Sequence, residues 1–269
     1  MSASPTRSTA VCVLGMSRSG TSLTARVLEL AGVYLGSEDD LLGGELSQIP
    51  AKDRGRAGEA NPGGFWEHYR LMRLNERILR RLGGSWREPP ELPPGWETSV
   101  DLDREREEAL ELIEETFAGH DLWGWKDPRS SLTLPFWQQL LPDLRHVICL
   151  RNPLDVALSL QKRDGMAVEQ GLELWRAYAS ASLVNTADRP RELVPYEAYF
   201  DDAEAVSTRL ARFVGREGAF ATGGAVGELH EAVDRRLWRQ RTAAKAVADD
   251  DRVPAEVADL YRFAVRLSG

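Results

Sequence analysis

A chain of 269 residues with 34 basic and 42 acidic side chains carries a formal charge of −8. That length can bury a sizeable core, and the acidic balance argues against a nucleic-acid-binding surface. No run approaches the length of a membrane span, and nothing near the N-terminus has a basic flank followed by a long apolar stretch, so a soluble, cytoplasmic protein is expected. Lysine occurs at Lys52, Lys126, Lys162 and Lys245 alone, which leaves 30 of the 34 basic residues as arginine. Cys12 and Cys149 both fall in apolar runs and read as buried structural thiols.

In chain order, Ala10–Leu14 reads as a buried strand and Thr21–Ala31 as a helix with Leu23, Val27, Leu28 and Ala31 at helical spacing. Gly32–Gly36 is a short strand or turn. Residues 37–64, rich in Gly, Asp, Glu and Pro, read as a long loop, of the kind that is either a functional lid or disordered. Phe65–Leu82 is predicted helical, and residues 83–99 form a proline-rich insertion carrying Trp86 and Trp96. A helix over Asp103–Phe117 leads to strand Leu122–Trp125, which stops at Lys126-Asp127-Pro128. A helix around Leu132–Leu141, a strand His146–Leu150, a helix from Pro153, a helix Val168–Ala187 and a strand Glu192–Pro195 follow. The C-terminal third is mostly helical. Alternating strands and helices predict an α/β fold, a central parallel sheet with helices on both faces, in one domain over 1–269. Its core spans about 10–215 and a helical segment about 216–269.

Directly after the first strand comes Gly15-Met16-Ser17-Arg18-Ser19-Gly20-Thr21-Ser22. Gly15 and Gly20 have the spacing of a nucleotide-triphosphatase phosphate loop, in which glycine allows close backbone approach and the helix N-terminus presents amides to an anion. The lysine expected after Gly20 is replaced by Thr21, and Arg18 supplies the charge from inside the loop. No apolar strand ends in an aspartate placed to hold magnesium. The third strand ends in Arg151-Asn152-Pro153-Leu154-Asp155, with Ser159 eight residues beyond Arg151. Asn152 is a good N-cap, Pro153 suits the first helical position, and Asp155 stands where a capping acid would. Arg151 therefore sits at the carboxyl edge of a strand, where open α/β sheets bind ligands.

The strand, Arg-Ser-Gly-Thr-Ser and helix resemble the 5′-phosphosulfate loop of sulfotransferases that use 3′-phosphoadenosine-5′-phosphosulfate (PAPS). The Arg151/Ser159 pair resembles the same family's 3′-phosphate motif, and Val194-Pro195-Tyr196-Glu197 with Leu210–Gly215 resembles a later strand and helix. The likeness covers about residues 10–215 and implies a P-loop sulfotransferase fold. It implies PAPS, no metal, and transfer of a sulfuryl group to the hydroxyl of a small metabolite or glycoside. Cofactor contacts are implied for Ser17, Arg18, Ser19, Gly20, Thr21, Ser22, Arg151 and Ser159. Arg18 departs from the Tyr-Pro-Lys opening of the cytosolic branch and is closer to the branch acting on proteins, glycans and bacterial metabolites. The C-terminal Arg-Lys-Gly cofactor loop is missing; Arg235–Arg241 is a substitute or a solvated helix face.

In-line transfer needs a base and cations. The resemblance assigns one cation to Arg18 and the base to Glu67, in Asn61-Pro62-Gly63-Gly64-Phe65-Trp66-Glu67-His68; Lys126, a lysine at a strand end in an arginine-biased chain, is the second cation. A first-turn acid serving the helix dipole is the competing reading of Glu67, a surface lysine that of Lys126, and His68 is the rival base. Arg129 either reaches phosphate or pairs with Asp127. Trp66, Trp86 and Trp96 fall where an acceptor pocket is expected, or else belong to the core. A small-molecule kinase and a non-catalytic nucleotide-binding protein are the alternative functions.

Overall fold

The computed structural model describes residues 8–42, 66–221, 223–233, 247 and 250–268. Four strands, β1 (Thr9–Leu14), β2 (Leu122–Lys126), β3 (Arg145–Leu150) and β4 (Arg191–Pro195), form one sheet in the order β2-β1-β3-β4. All three pairings are parallel, with Val13 opposite Lys126, Leu14 opposite Ile148, and Leu150 opposite Pro195. The unbroken apolar runs of β1 and β3 follow from this arrangement, since a parallel sheet is covered on both faces.

Alternation along the strands sorts side chains to the two faces. Ala10, Cys12, Leu14, Trp123, Trp125, Ile148 and Leu150 pack with helices α2 (Tyr69–Arg81), α3 (Asp103–Phe117) and α4 (Ser130–Leu140). Val11, Val13, Val147, Cys149 and Val194 face α1 (Thr21–Leu30) and helices α7 (Ala198–Asp201), α8 (Ala203–Phe213) and α9 (Gly223–Ala232). A third cluster joins α5 (Pro153–Asp164), α6 (Val168–Asn185) and α10 (Ala255–Leu267) to Met16, just after β1. None of the described helices is long and apolar enough to cross a membrane.

Most expected elements are present, with shifts that have local causes. Helix α2 begins at Tyr69, four residues later than predicted, because His68 caps it: Nδ1 accepts from the Leu71 amide at 3.5 Å. Glu67 therefore precedes the helix and does not lie in its first turn. Strand β2 takes in Lys126, which is 1% exposed, so the surface reading of that lysine is wrong. The Gly32–Gly36 turn contributes one parallel bridge, Tyr34 to Trp123. Trp96 is buried in the core cluster against α4, the core reading of this residue, while it also lines a surface pocket with Leu132 and Pro135. Of the predicted loop 37–64, only 37–42 lies among the described residues; Asn61–Phe65 and Arg235–Arg241 lie outside them.

Both thiols are buried and neither is in a disulfide. Burial raises Cys12 well above the ordinary thiol range and Cys149 to about 12, so both stay protonated and neither is a nucleophile.

Candidate active site at the carboxyl edge of the sheet

All four strands run the same way, so the residues following each gather at one edge. The loop after β1 is held by its glycines. Gly15 has φ 126°, and a Cβ there would stand 2.6 Å from the Cys149 carbonyl oxygen. Its amide donates to Ser131 Oγ at 2.9 Å. Gly20, at φ 90°, lies under the Tyr196 ring, which a Cβ would meet at 2.3 Å. Gly20 is the N-cap of α1 and makes no side-chain cap hydrogen bond, so the α1 N-terminus opens onto the loop. Ser19 Oγ is buried and has no hydrogen-bond partner. A helix N-terminus, a buried hydroxyl with no partner, and a nearby guanidinium are the composition of an anion cradle.

Arg18 closes the cradle. It is in the left-handed region at φ 76°, which a non-glycine residue reaches at a cost of about 1–3 kcal/mol. In that conformation its Nε donates to Ser159 Oγ at 2.9 Å, across 141 residues of sequence. Arg151 Nη1 donates to the Arg18 carbonyl oxygen at 2.9 Å, and its guanidinium lies 4.6 Å from the centre of the Tyr196 ring. Asn152 caps α5 by accepting from the Leu154 and Asp155 amides at 3.0 and 3.5 Å. Asp155 is buried, its carboxylate 3.9 Å from Arg151, so it does more than cap. Ser17 and Ser22 are half-buried and Thr21 is buried along the same loop.

A second group stands one strand over. Lys126 Nζ is 2.8 Å from Glu67 Oε1, and Arg129 Nη1 is 3.9 Å from Glu67 Oε2. Arg129 also bonds Asp127 at 2.9 Å and Glu76 at 3.2 Å, so its role is ionic within the protein. Burial raises the Asp127 carboxyl above its ordinary range, against the pull of Arg129. Trp66, next to Glu67, is also left-handed, at φ 56°, and its ring lies 5.4 Å from the Arg26 guanidinium. Among the described residues, Arg18 and Trp66 are the non-glycine residues with positive φ, and each belongs to one half of this edge.

His68 is turned away. With Nδ1 committed to the Leu71 amide, Nε2 carries the proton and lies 3.9 Å from Asp40 Oδ1. Burial, against the opposing effect of Asp40, lowers His68 to about 4. His146, in β3, is likewise lowered to about 4 by burial. An unfolded histidine titrates near pH 6.5. Below that value the unfolded chain takes up protons that the folded chain refuses, so stability is complete above about pH 6.5 and falls as the pH drops toward 4. The expected slope is about 1.4 kcal/mol per pH unit for each such histidine. His68→Asn retains a capping side chain and removes one of the two groups. It should roughly halve the loss of denaturant-measured stability between pH 6.5 and 5; a parental slope would show that His68 titrates normally.

Sequence reasoning missed Tyr196, Ser131 and Asn75; of the two readings of Arg129, the pairing with Asp127 is present. Tyr196 had a usable signal, since it follows the last strand at the ligand edge. Ser131 and Asn75 act across more than 50 residues and leave no local pattern.

The glycine-rich loop after β1 and the β3–α5 junction meet at the topological switch point of a parallel α/β sheet, the place where open sheets of this class take ligands. No family model matches the chain, and no curated protein matches it in sequence. Solved structures match it in fold. The sulfotransferase domain of the Synechococcus PCC 7002 olefin synthase shares 17% identity at a TM-score of 0.53, over 96% of this chain and 95% of that one. A sulfotransferase from Mycobacterium avium shares 14% identity at a TM-score of 0.52, over 98% of this chain and 77% of its own. The chain has the sulfotransferase fold.

Proposed function

We propose that the chain transfers a sulfuryl group from PAPS to the hydroxyl of a small acceptor. The observation that carries this reading is the contact between its two anion motifs. Arg18 Nε meets Ser159 Oγ, and Arg151 Nη1 meets the Arg18 carbonyl, so the loop and the β3–α5 junction make one cradle with two cationic groups. A donor bearing both a 5′-phosphosulfate and a 3′-phosphate matches that arrangement. A triphosphate would call for a lysine at position 21, which is Thr21.

In this reading Ser17, Arg18, Ser19, Gly20, Thr21 and Ser22 hold the 5′-phosphosulfate, and Arg151 and Ser159 the 3′-phosphate. Glu67 takes the proton of the acceptor hydroxyl as its oxygen bonds to sulfur. The bond from sulfur to the phosphate oxygen breaks, and Arg18 and Lys126 offset the charge gathering there and on the sulfuryl oxygens. Adenosine 3′,5′-bisphosphate leaves. With Lys126 and Arg129 beside it, Glu67 has charge partners while it waits for the acceptor.

The test is calorimetry on Arg151→Ala. Losing a charge-assisted contact costs about 1.5–3 kcal/mol. Binding of adenosine 3′,5′-bisphosphate should therefore weaken tenfold or more, while AMP is nearly unaffected. Equal losses for the two ligands would remove Arg151 from the 3′-phosphate.

A further inference from the structure

Glu67 is flanked by two cations that have unequal freedom. Lys126 pairs with Glu67 Oε1 and is the cation the proposed reaction draws toward the sulfuryl group. Arg129 is fixed. Asp127 Oδ1 accepts from the Arg129 amide at 3.1 Å and from Nη1 at 2.9 Å, and Glu76 accepts from Nη2 at 3.2 Å. Asp127 is itself immobilised, because Asn75 Nδ2 donates to its other oxygen at 2.8 Å. Asn75 is fully buried and saturated: its Oδ1 accepts from Thr133 Oγ1 at 2.7 Å and Trp137 Nε1 at 2.9 Å. Its amide also reaches Ser130 Oγ at 3.1 Å, which in turn accepts from Trp125 Nε1 at 2.9 Å. A chain of satisfied bonds thus runs from the α4 core to a guanidinium standing 3.9 Å from Glu67 Oε2.

Such an outlay of buried polar groups has a cost; the links from Asn75 to Asp127 and from Asp127 and Glu76 to Arg129 are made, while the buried Arg129 Nε has no hydrogen-bond partner. Two apolar replacements of Asp127 and Arg129 would serve the core as well. What they would not supply is a cation at a fixed place beside Glu67 when Lys126 turns away. We propose that Arg129 is a positioning residue: anchored through Asp127 to Asn75, it holds the Glu67 carboxylate oriented toward the acceptor. The inference rests on the reading of Glu67 as the base. Other groups at this point are Asp127 and Glu76, both engaged by Arg129, and the buried phenol of Tyr178, which donates to the Trp86 carbonyl at 2.9 Å.

Two measurements on Arg129→Gln and Arg129→Lys test it. The first is the Glu67 carboxylate band in difference infrared spectra at neutral pH, identified by subtraction against Glu67→Gln. The second is the single-turnover transfer rate. In Arg129→Gln the band should move and the rate fall about tenfold, the loss of one charge-assisted contact, with adenosine 3′,5′-bisphosphate bound as in the parent. Arg129→Lys keeps the charge but cannot bridge three carboxylates, so both readouts should fall between parent and Gln. A residue serving the fold alone would lower the melting temperature and leave band and rate parental, which overturns the proposal. Should Arg129→Gln fail to fold, a parental band and rate in Arg129→Lys overturns it equally. Full turnover by Glu67→Gln, by contrast, would sink the base assignment itself, and the band shift would be unaffected.

Discussion

Glu67→Gln is expected to slow the chemical step about 10²–10⁴-fold, the range that general-base catalysis supplies, with nucleotide affinity unchanged. Glutamine preserves the shape and the hydrogen bond to Lys126 but cannot take a proton. The helix-dipole explanation of this acid no longer applies, because α2 begins two residues later and is capped by His68. Removing the charge leaves Lys126, only 1% exposed, beside a neutral partner, so a loss of stability accompanies the kinetic effect. Single-turnover rates on folded protein separate the two. His68→Asn serves as the control, since its imidazole faces Asp40, and should turn over like the parent. If Glu67→Gln turns over like the parent, the base is elsewhere.

Arg18→Ala is the second large effect. One preorganised donor aimed at developing charge is worth about 10²–10³ in rate. The fold should persist, because the Arg18 contact with Arg151 is made by its backbone carbonyl, which alanine retains. Ser159 loses its Nε donor, so some nucleotide affinity goes too. The signature is in the split: kcat falls much further than binding weakens. A rise in KM at constant kcat would make Arg18 a binding residue and nothing more.

The local structure of the two proposed anion motifs was legible because each is short-range. Glycine spacing, an N-cap and a strand end lie within eight residues of one another, and hydrophobic periodicity alone delimits Asp103–Phe117, which the helix matches at both ends. The pairing of Lys126 with Glu67 was not legible, since it closes over 59 residues through a sheet edge that only the fold creates. The same holds for Asn75 and Asp127, whose bond spans 52. The start of α2 was misjudged because Phe65 and Trp66 continue an apolar rhythm that the left-handed backbone of Trp66 and the cap at His68 interrupt. Trp96 lies in the irregular insertion, and its ring belongs to the core beneath, as the ordinary reading of such a tryptophan has it.

The central claim is that this edge receives a nucleotide through a 3′-phosphate and a 5′-anion without relying on a magnesium-bound triphosphate. Calorimetric titration of the unaltered chain in the presence of a chelator tests it most directly. Adenosine 3′,5′-bisphosphate is expected to bind at least tenfold more tightly than AMP, the difference one charge-assisted phosphate contact supplies, and ATP with magnesium in a parallel titration is expected to bind more weakly than the bisphosphate. Equal affinity for AMP and the bisphosphate, or a preference for ATP with magnesium, would contradict the account and favour a kinase.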